Sequence, residues 1–209
     1  MKGDDWWCAI ADGVGGAEAG EIAARLCIEG LKLGLEKSSS VREIFHFVSE
    51  YLSKAVEKSI LPPKSGSTLT VLKISGNKAF VGHVGDSRIT HYRGAGVLGR
   101  TSDQTEVRKL LDEGALTKHQ ARRYPRRNVL LSYMSPLRTF DLYETQFDIQ
   151  RSDRILLTTD GFHEKILRQE VSRISLENPD FGEFFDALVD ELLKAPLTDD
   201  ATCVAIEID

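Results

Sequence analysis

The chain has 209 residues, 41% hydrophobic and 28% charged, the make-up of an ordinary globular protein long enough to bury a core without disulfides or a structural metal. Lys plus Arg number 27 against 32 Asp plus Glu, and the resulting charge of −5 argues against a nucleic-acid binder. No apolar run is long enough for a membrane-spanning helix and no leader pattern opens the chain, so no membrane partner is expected and the expected location is the cytoplasm.

At about 150 residues per domain, the length predicts a single domain over 1–209. Residues 6–11 read as a buried strand that stops at Asp12-Gly13-Val14-Gly15-Gly16, where glycines permit positive φ. A helix is predicted from about Ala19, with Ile22, Leu26 and Leu33 in an apolar stripe. Ser40 is placed to cap a second helix carrying Ile44, Phe45, Val48, Leu52 and Val56 on one face, which Pro62-Pro63 is expected to end. The period then changes to strands over 68–74, 79–84 and 89–92, with turns at 75–78 and 85–88. Short helices are plausible over 104–114 and 117–123, and 125–142 has no period and reads as a loop or flap. Strands follow at 143–149 and 154–159, helices at 163–177 and 181–195, and a last strand at 201–208. Clustered strands with hairpin-like turns favour an antiparallel α+β layered fold over alternating βαβ units. Cys8, Cys27 and Cys203 form no C-x-x-C pair and read as buried small hydrophobes in a reducing compartment.

Three acids stand at strand ends: Asp12, Asp160 and Asp199. The first two precede glycine, which lets backbone approach a ligand. If these carboxylates converge, they suit hard cations such as Mg²⁺ or Mn²⁺, whereas no histidine pair has metal-ligand spacing. Two divalent ions about 4 Å apart repel by about 17 kcal/mol at an effective dielectric of about 20, so a shared pair needs a bridging carboxylate. A water between them could lose its proton near neutral pH and attack a phosphate in line. On spacing alone the alternative stays open: an Asp-Gly after a strand also makes a simple turn, and Asp199-Asp200 a solvated loop.

Five segments in order carry a resemblance: Ala11-Asp12-Gly13-Val14-Gly15-Gly16 with Gly20-Glu21, Ser65-Gly66-Ser67-Thr68, Gly82-His83-Val84-Gly85-Asp86-Ser87-Arg88, Thr159-Asp160-Gly161, and Asp199-Asp200-Ala201-Thr202. Together with Arg100-Thr101-Ser102-Asp103-Gln104 they resemble the metal-dependent protein phosphatase 2C family in its bacterial form. The resemblance implies an αββα four-layer sandwich, two antiparallel sheets flanked by helices, with two Mn²⁺ or Mg²⁺ ions at one edge. It implies that Asp12 bridges both ions, that the Gly13 carbonyl binds one, and that Asp160 and Asp199 bind the other. Asp86 and Glu164 match positions linked to a third, weaker ion. The implied activity is hydrolysis of phosphoserine or phosphothreonine in a protein substrate by a metal-bound water, with a cognate serine/threonine kinase as a further partner and catalytic roles for Asp12, Asp160 and Asp199.

The chain departs from the pattern at its start. The family's opening strand, with a phosphate-holding arginine and a supporting acid, has no match: Asp4 and Asp5 would share a strand with Asp12. The expected consequences are weaker phosphate recognition, metal affinity lowered by about tenfold to a hundredfold, and an exposed sheet edge open to dimer pairing. Residues encoded upstream of Met1 would be expected to restore activity. Val14 stands where some members carry a histidine, Asp200 replaces the usual asparagine, and residues 130–135 depart from the usual small-residue turn. The alternative function is therefore a catalytically impaired relative acting as a binding or regulatory module. Other phosphate chemistries fail on spacing: Glu18 stands where a dinucleotide loop needs its third glycine, and neither Cys8 nor Cys27 has an arginine six residues on. His83 is expected to pack within the strands, His163 either to face the cleft or to fill surface, and Arg88 to bond carboxylates or carbonyls. Arg122, Arg123, Arg126 and Arg127 are expected on a solvated face, with a phosphopeptide contact as the minority alternative.

Overall fold

A computed structural model describes residues 5–209. Two four-stranded antiparallel sheets stack face to face. The first has the order β1 (Trp6–Ile10), β4 (Leu69–Ser75), β5 (Lys78–Val84), β8 (Tyr143–Asp148). The second has the order β10 (Cys203–Glu207), β9 (Arg154–Thr158), β6 (Arg88–Arg93), β7 (Gly96–Arg100). A two-stranded ribbon pairs β2 (Gly13–Val14) with β3 (Gly66–Ser67).

Three apolar layers hold the stack. Alternation in the strands sends one set of side chains into the space between sheets, where Ile10, Leu72, Val81, Ile89, Ile155 and Leu157 are buried. The opposite face of the first sheet, with Leu69, Val71 and Val84, packs against α1 (Ala17–Leu35) and α2 (Val41–Glu57). The opposite face of the second, with Tyr92 and Leu156, packs against α5 (Asp160–His163), α6 (Arg168–Glu177) and α7 (Phe181–Leu193). Helix, sheet, sheet, helix is thus the layer order, as the family resemblance implies.

Local signals explain most boundaries. The Ser40 hydroxyl accepts from the Glu43 N–H at 3.4 Å and starts α2, and Asp180 does the same for α7 at 3.0 Å. α2 lies so close to β5 that a Cβ on Gly82 would stand 2.4 Å from Val41 and 2.6 Å from Phe45. Gly15 and Gly16 take φ of 118° and 90°, as the loop reading requires.

Several expectations need correction. α2 ends at Glu57, so the proline pair lies in the following loop and does not terminate the helix. The single helix expected over 163–177 is the end of α5 and the whole of α6 with a break between them, where Leu167 takes extended backbone with ψ 149°. The hairpin strand β7 was not expected; its residues are mostly exposed and carry no alternation. The expected short helices are α3 (Glu106–Asp112) and α4 (Lys118–Ala121). Cys27 is buried, but Cys8 and Cys203 are only half-buried. Met1 to Asp4 lie outside the described residues, and Asp5 pairs with Lys73 at 2.9 Å just before β1. β1 and β10 are outer strands of their sheets, each with one partner among the described residues.

Candidate metal centre

Asp12 follows β1, and its peptide is fixed by the Ser65–Thr68 motif. Its N–H donates to Thr68 Oγ1 at 2.9 Å, while its carbonyl accepts from Ser67 Oγ at 2.9 Å and from the Thr68 N–H at 2.8 Å. Thr68 Oγ1 also meets Ser87 Oγ at 2.8 Å, so the Gly-Asp-Ser-Arg turn is tied to the same peptide. That turn is held from its other side by Gln104: the Gly85 N–H donates to Gln104 Oε1 and the Gln104 N–H to the Gly85 carbonyl, both at 2.8 Å. Arg88 forms a bidentate pair with Asp103 at 2.6 and 2.5 Å.

Asp160 opens α5, with its Oδ1 accepting from the Gly161 N–H at 2.7 Å. The Asp199 loop is tied to that corner. The Thr202 N–H donates to Thr159 Oγ1 at 3.0 Å, and the Thr159 N–H to the Thr202 carbonyl at 3.1 Å. The glycines after the two aspartates serve protein packing. A Cβ on Gly161 would lie 2.3 Å from the Asp200 carbonyl oxygen, and one on Gly13 would lie 2.2 Å from Gly20 backbone. Neither takes a positive φ, so close approach explains both.

The carboxylates from these corners gather in one region. Burial first, then the charges of Asp160 and Asp199, push the Asp12 carboxyl up to about 7. Asp86 is likewise pushed up to about 7 by burial and then by Asp160, Asp103 and Asp12. Asp12, Asp199, Glu18 and Glu21 line an open cleft of about 1,000 Å³ with Gly13 at its wall. Arg25 on α1 is the one cation in that lining among the described residues.

No group of three or more His, Cys, Asp or Glu side chains among the described residues closes tightly enough to hold an ion unaided. The donor chemistry nevertheless fits Mg²⁺ or Mn²⁺. These ions take carbonyl and water oxygens beside carboxylates, and the cleft lining holds no imidazole or thiol among the described residues. Mutual repulsion of Asp12, Asp160, Asp199 and Asp86 marks a place where positive charge is accepted. Glu164 stands apart: it pairs with Arg127 at 3.5 Å and is half exposed.

His83 is buried, bonded to Thr70 Oγ1 at 2.9 Å and near the Ser102 carbonyl at 3.2 Å, a packing role. His163 is neither a surface filler nor a cleft residue; it contacts Thr158 Oγ1 at 3.4 Å, and burial, then Arg88, lowers its ring pKa to about 3. Arg126 pairs with Glu106 at 2.7 Å, so that arginine has a structural partner. Sequence reasoning assigned no role to the Gln104 clamp, nor to Glu18 and Arg25. The first is an uncharged side chain far along the chain, and the other two sit on the polar face of a helix.

Comparison with known proteins agrees with this geometry. The protein is 27% identical over 206 residues to serine/threonine protein phosphatase PstP of Mycobacterium tuberculosis, an alignment covering 96% of this chain and 40% of that protein. It is 29% identical over 191 residues to protein phosphatase PhpP of Streptococcus pneumoniae, covering 86% and 76%. A solved structure of the catalytic domain of serine/threonine protein phosphatase PstP in complex with two manganese ions matches with TM-score 0.79 at 26% identity, covering 97% of this chain and 88% of that one. The chain thus spans about two fifths of the length of the curated PstP protein, 40%. The family model described as Protein phosphatase 2C matches residues 1–201, and with the sandwich and the ordered acid motifs in place, the chain belongs to the protein phosphatase 2C family.

Proposed function

We propose that this chain is a single-domain, metal-dependent serine/threonine phosphoprotein phosphatase. The observation that carries this reading is the gathering of Asp12, Asp160, Asp199 and Asp86: burial and then the charges of Asp160 and Asp199 push Asp12 up to about 7, and burial and then the charges of Asp160, Asp103 and Asp12 push Asp86 up to about 7. Asp12, the Gly13 carbonyl, Asp160 and Asp199 would hold two Mn²⁺ or Mg²⁺ ions. Asp86 would serve a third, while Glu164 would have to leave Arg127 to join it. When bound, the metals supply water activation and charge neutralisation for a phosphate. The residues of the chain fix the rest. Ser67 and Thr68 hold the Asp12 peptide, Gln104 and the Arg88–Asp103 pair hold the Asp86 turn, and Gly161 lets the Asp199 loop close on α5. Arg25, reaching into the same cleft, is placed to meet substrate phosphate.

Likeness to PstP and PhpP, named as protein phosphatases, supports a phosphoprotein as substrate; a serine/threonine kinase that makes such a substrate is the opposing partner this reading implies. No helix among the described residues is long and apolar enough to cross a membrane, which fits an enzyme acting in the cytoplasm. The test is hydrolysis of p-nitrophenyl phosphate and of a phosphothreonine peptide with Mn²⁺, with chelator, and by Asp160→Ala. Metal-dependent turnover lost in the variant is expected. Turnover indifferent to chelator or to Asp160 would sink the reading, and no turnover despite Mn²⁺ binding would leave a non-catalytic module, which the absence of three tightly closed ligands among the described residues would then explain.

A further inference from the structure

A second cavity lies away from the acid cleft, between the outer face of the second sheet and the start of α6, with a volume of about 270 Å³. Its floor is apolar: Leu156, Phe162 and Val171 are 1%, 3% and 2% exposed. Its rim is cationic, formed by Arg88, Arg100 and Arg168. Arg88 is committed to Asp103, whereas Arg100 and Arg168 engage in no ion pair among the described residues. The Arg100 guanidinium is held below its ordinary range by desolvation first and by the Arg88 charge next, with Arg168 and Arg108 adding to it and Asp103 alone opposing.

The end of α6 that faces this cavity points the same way. α6 has ten residues, and its N-cap, Leu167, gives no side-chain hydrogen bond. Leu167, Arg168 and Gln169 all line the cavity, so the uncapped turn, with its partial positive charge, opens onto it. The acid in that turn, Glu170, is drawn instead to Arg173 at 3.1 Å. A cation rim, an uncapped helix start and a largely apolar floor, in which Thr90, Thr158 and His163 are uncharged polar side chains of the sheet side, together suit a ligand with one anionic group and an apolar body. A bare phosphate would leave the floor unfilled, and a neutral hydrocarbon would leave the arginines unpaired.

We infer that the cavity beneath Arg100 and Arg168 is a binding site for a small organic carboxylate with an aromatic or branched aliphatic body, separate from the acid cleft. The carboxylate lies between the two guanidinium groups at the head of α6, and the body rests on Leu156, Phe162 and Val171. Because Arg88 joins this rim to Asp103 and the Asp86 turn, occupancy adjoins the carboxylate cluster without entering it.

The test uses the full chain in EDTA, so that no metal-dependent event contributes. Binding of benzoate and isovalerate is measured by calorimetry beside neutral benzamide and inorganic phosphate. At least one carboxylate is expected to bind with one-to-one stoichiometry. Benzamide and phosphate should bind about tenfold more weakly or worse, and Arg100→Ala and Arg168→Ala should each weaken the carboxylate about tenfold. Asp160→Ala should leave the affinity unchanged. Arg168 and most of Arg100 face solvent, with only the Arg100 guanidinium partly desolvated at the cavity, and a circular-dichroism melt confirms that each variant is folded. Three results overturn the proposal: no binding of either carboxylate at millimolar concentration, equal binding of benzamide, or unchanged affinity in both arginine variants.

Discussion

Asp86 is a half-buried acid whose ionised form is disfavoured by its neighbours. Its carboxyl and that of Asp12 bind protons more tightly in the folded chain than at the ordinary value of 3.8, each being pushed to about 7. Without added metal, their contribution to stability is present below 3.8 and is lost as pH rises through about 7. Asp86→Asn should therefore raise the melting temperature in EDTA at pH 8 by roughly 2–4 °C, and by much less at pH 4. The same change should weaken the response to Mn²⁺. A variant that melts lower at pH 8 would contradict the repulsion described. Arg88 shows the converse. Burial pushes Asp103 up, but the hydrogen bonds and charge of Arg88 outweigh it and hold its carboxyl below the ordinary range. Arg88→Ala leaves that half-buried acid without its bidentate partner and with only the Arg100 charge nearby, which should cost about 2–3 kcal/mol in urea unfolding. A loss below about 1 kcal/mol would mean that solvent replaces the arginine. The acids themselves were legible in sequence, because a carboxylate at a strand end is a local signal. Their partners Gln104 and Asp103 were visible only as part of a motif, since nothing local says which distant turn they grip.

Among the elements, legibility followed periodicity. α1, α2 and α7 repeat apolar residues at helical spacing, and β8 alternates, so α1, α7 and β8 were read close to their observed bounds and α2 at its start. β7 has Gly96 and Gly99 and almost no burial, and only its pairing with β6 makes it a strand. Pro62 and Pro63 were read as a helix stop because they are strong breakers, but the Lys58 and Ser59 turn ends α2 first, with Ser59 at φ 57°. In the Asp-Gly pairs the glycines were expected to let backbone approach a ligand; their missing Cβ atoms also let Gly13 meet Gly20 backbone and Gly161 meet the Asp200 carbonyl. Gly161→Ala tests this at the element scale. The added methyl would collide with the Asp200 carbonyl, pushing the Asp199 loop away from α5. Metal affinity should fall by about tenfold to a hundredfold, and stability by about 1–3 kcal/mol. Unchanged affinity for Mn²⁺ would show that the Asp199 loop is free to shift without consequence.

At the scale of the whole molecule, the sandwich brings Asp12 and Asp199, far apart in sequence, to one cleft, with Asp160 next to Thr159 of its lining. β1 in the first sheet and the β9–β10 pair in the second deliver Asp12, Asp160 and Asp199 from strand ends, and the layers of helices on each side keep the two sheets in register. Motif order made this architecture readable, although no single motif demanded it. The account stands most directly on one measurement: calorimetric titration of the full chain with Mn²⁺ near pH 7, in two buffers of different ionisation enthalpy, beside Asp160→Ala. Saturable binding is predicted, with heats that depend on the buffer because Asp12 and Asp86 give up protons as the ion enters, and with affinity lowered at least about tenfold in the variant. Absence of saturable binding, or binding untouched by Asp160→Ala, would contradict it.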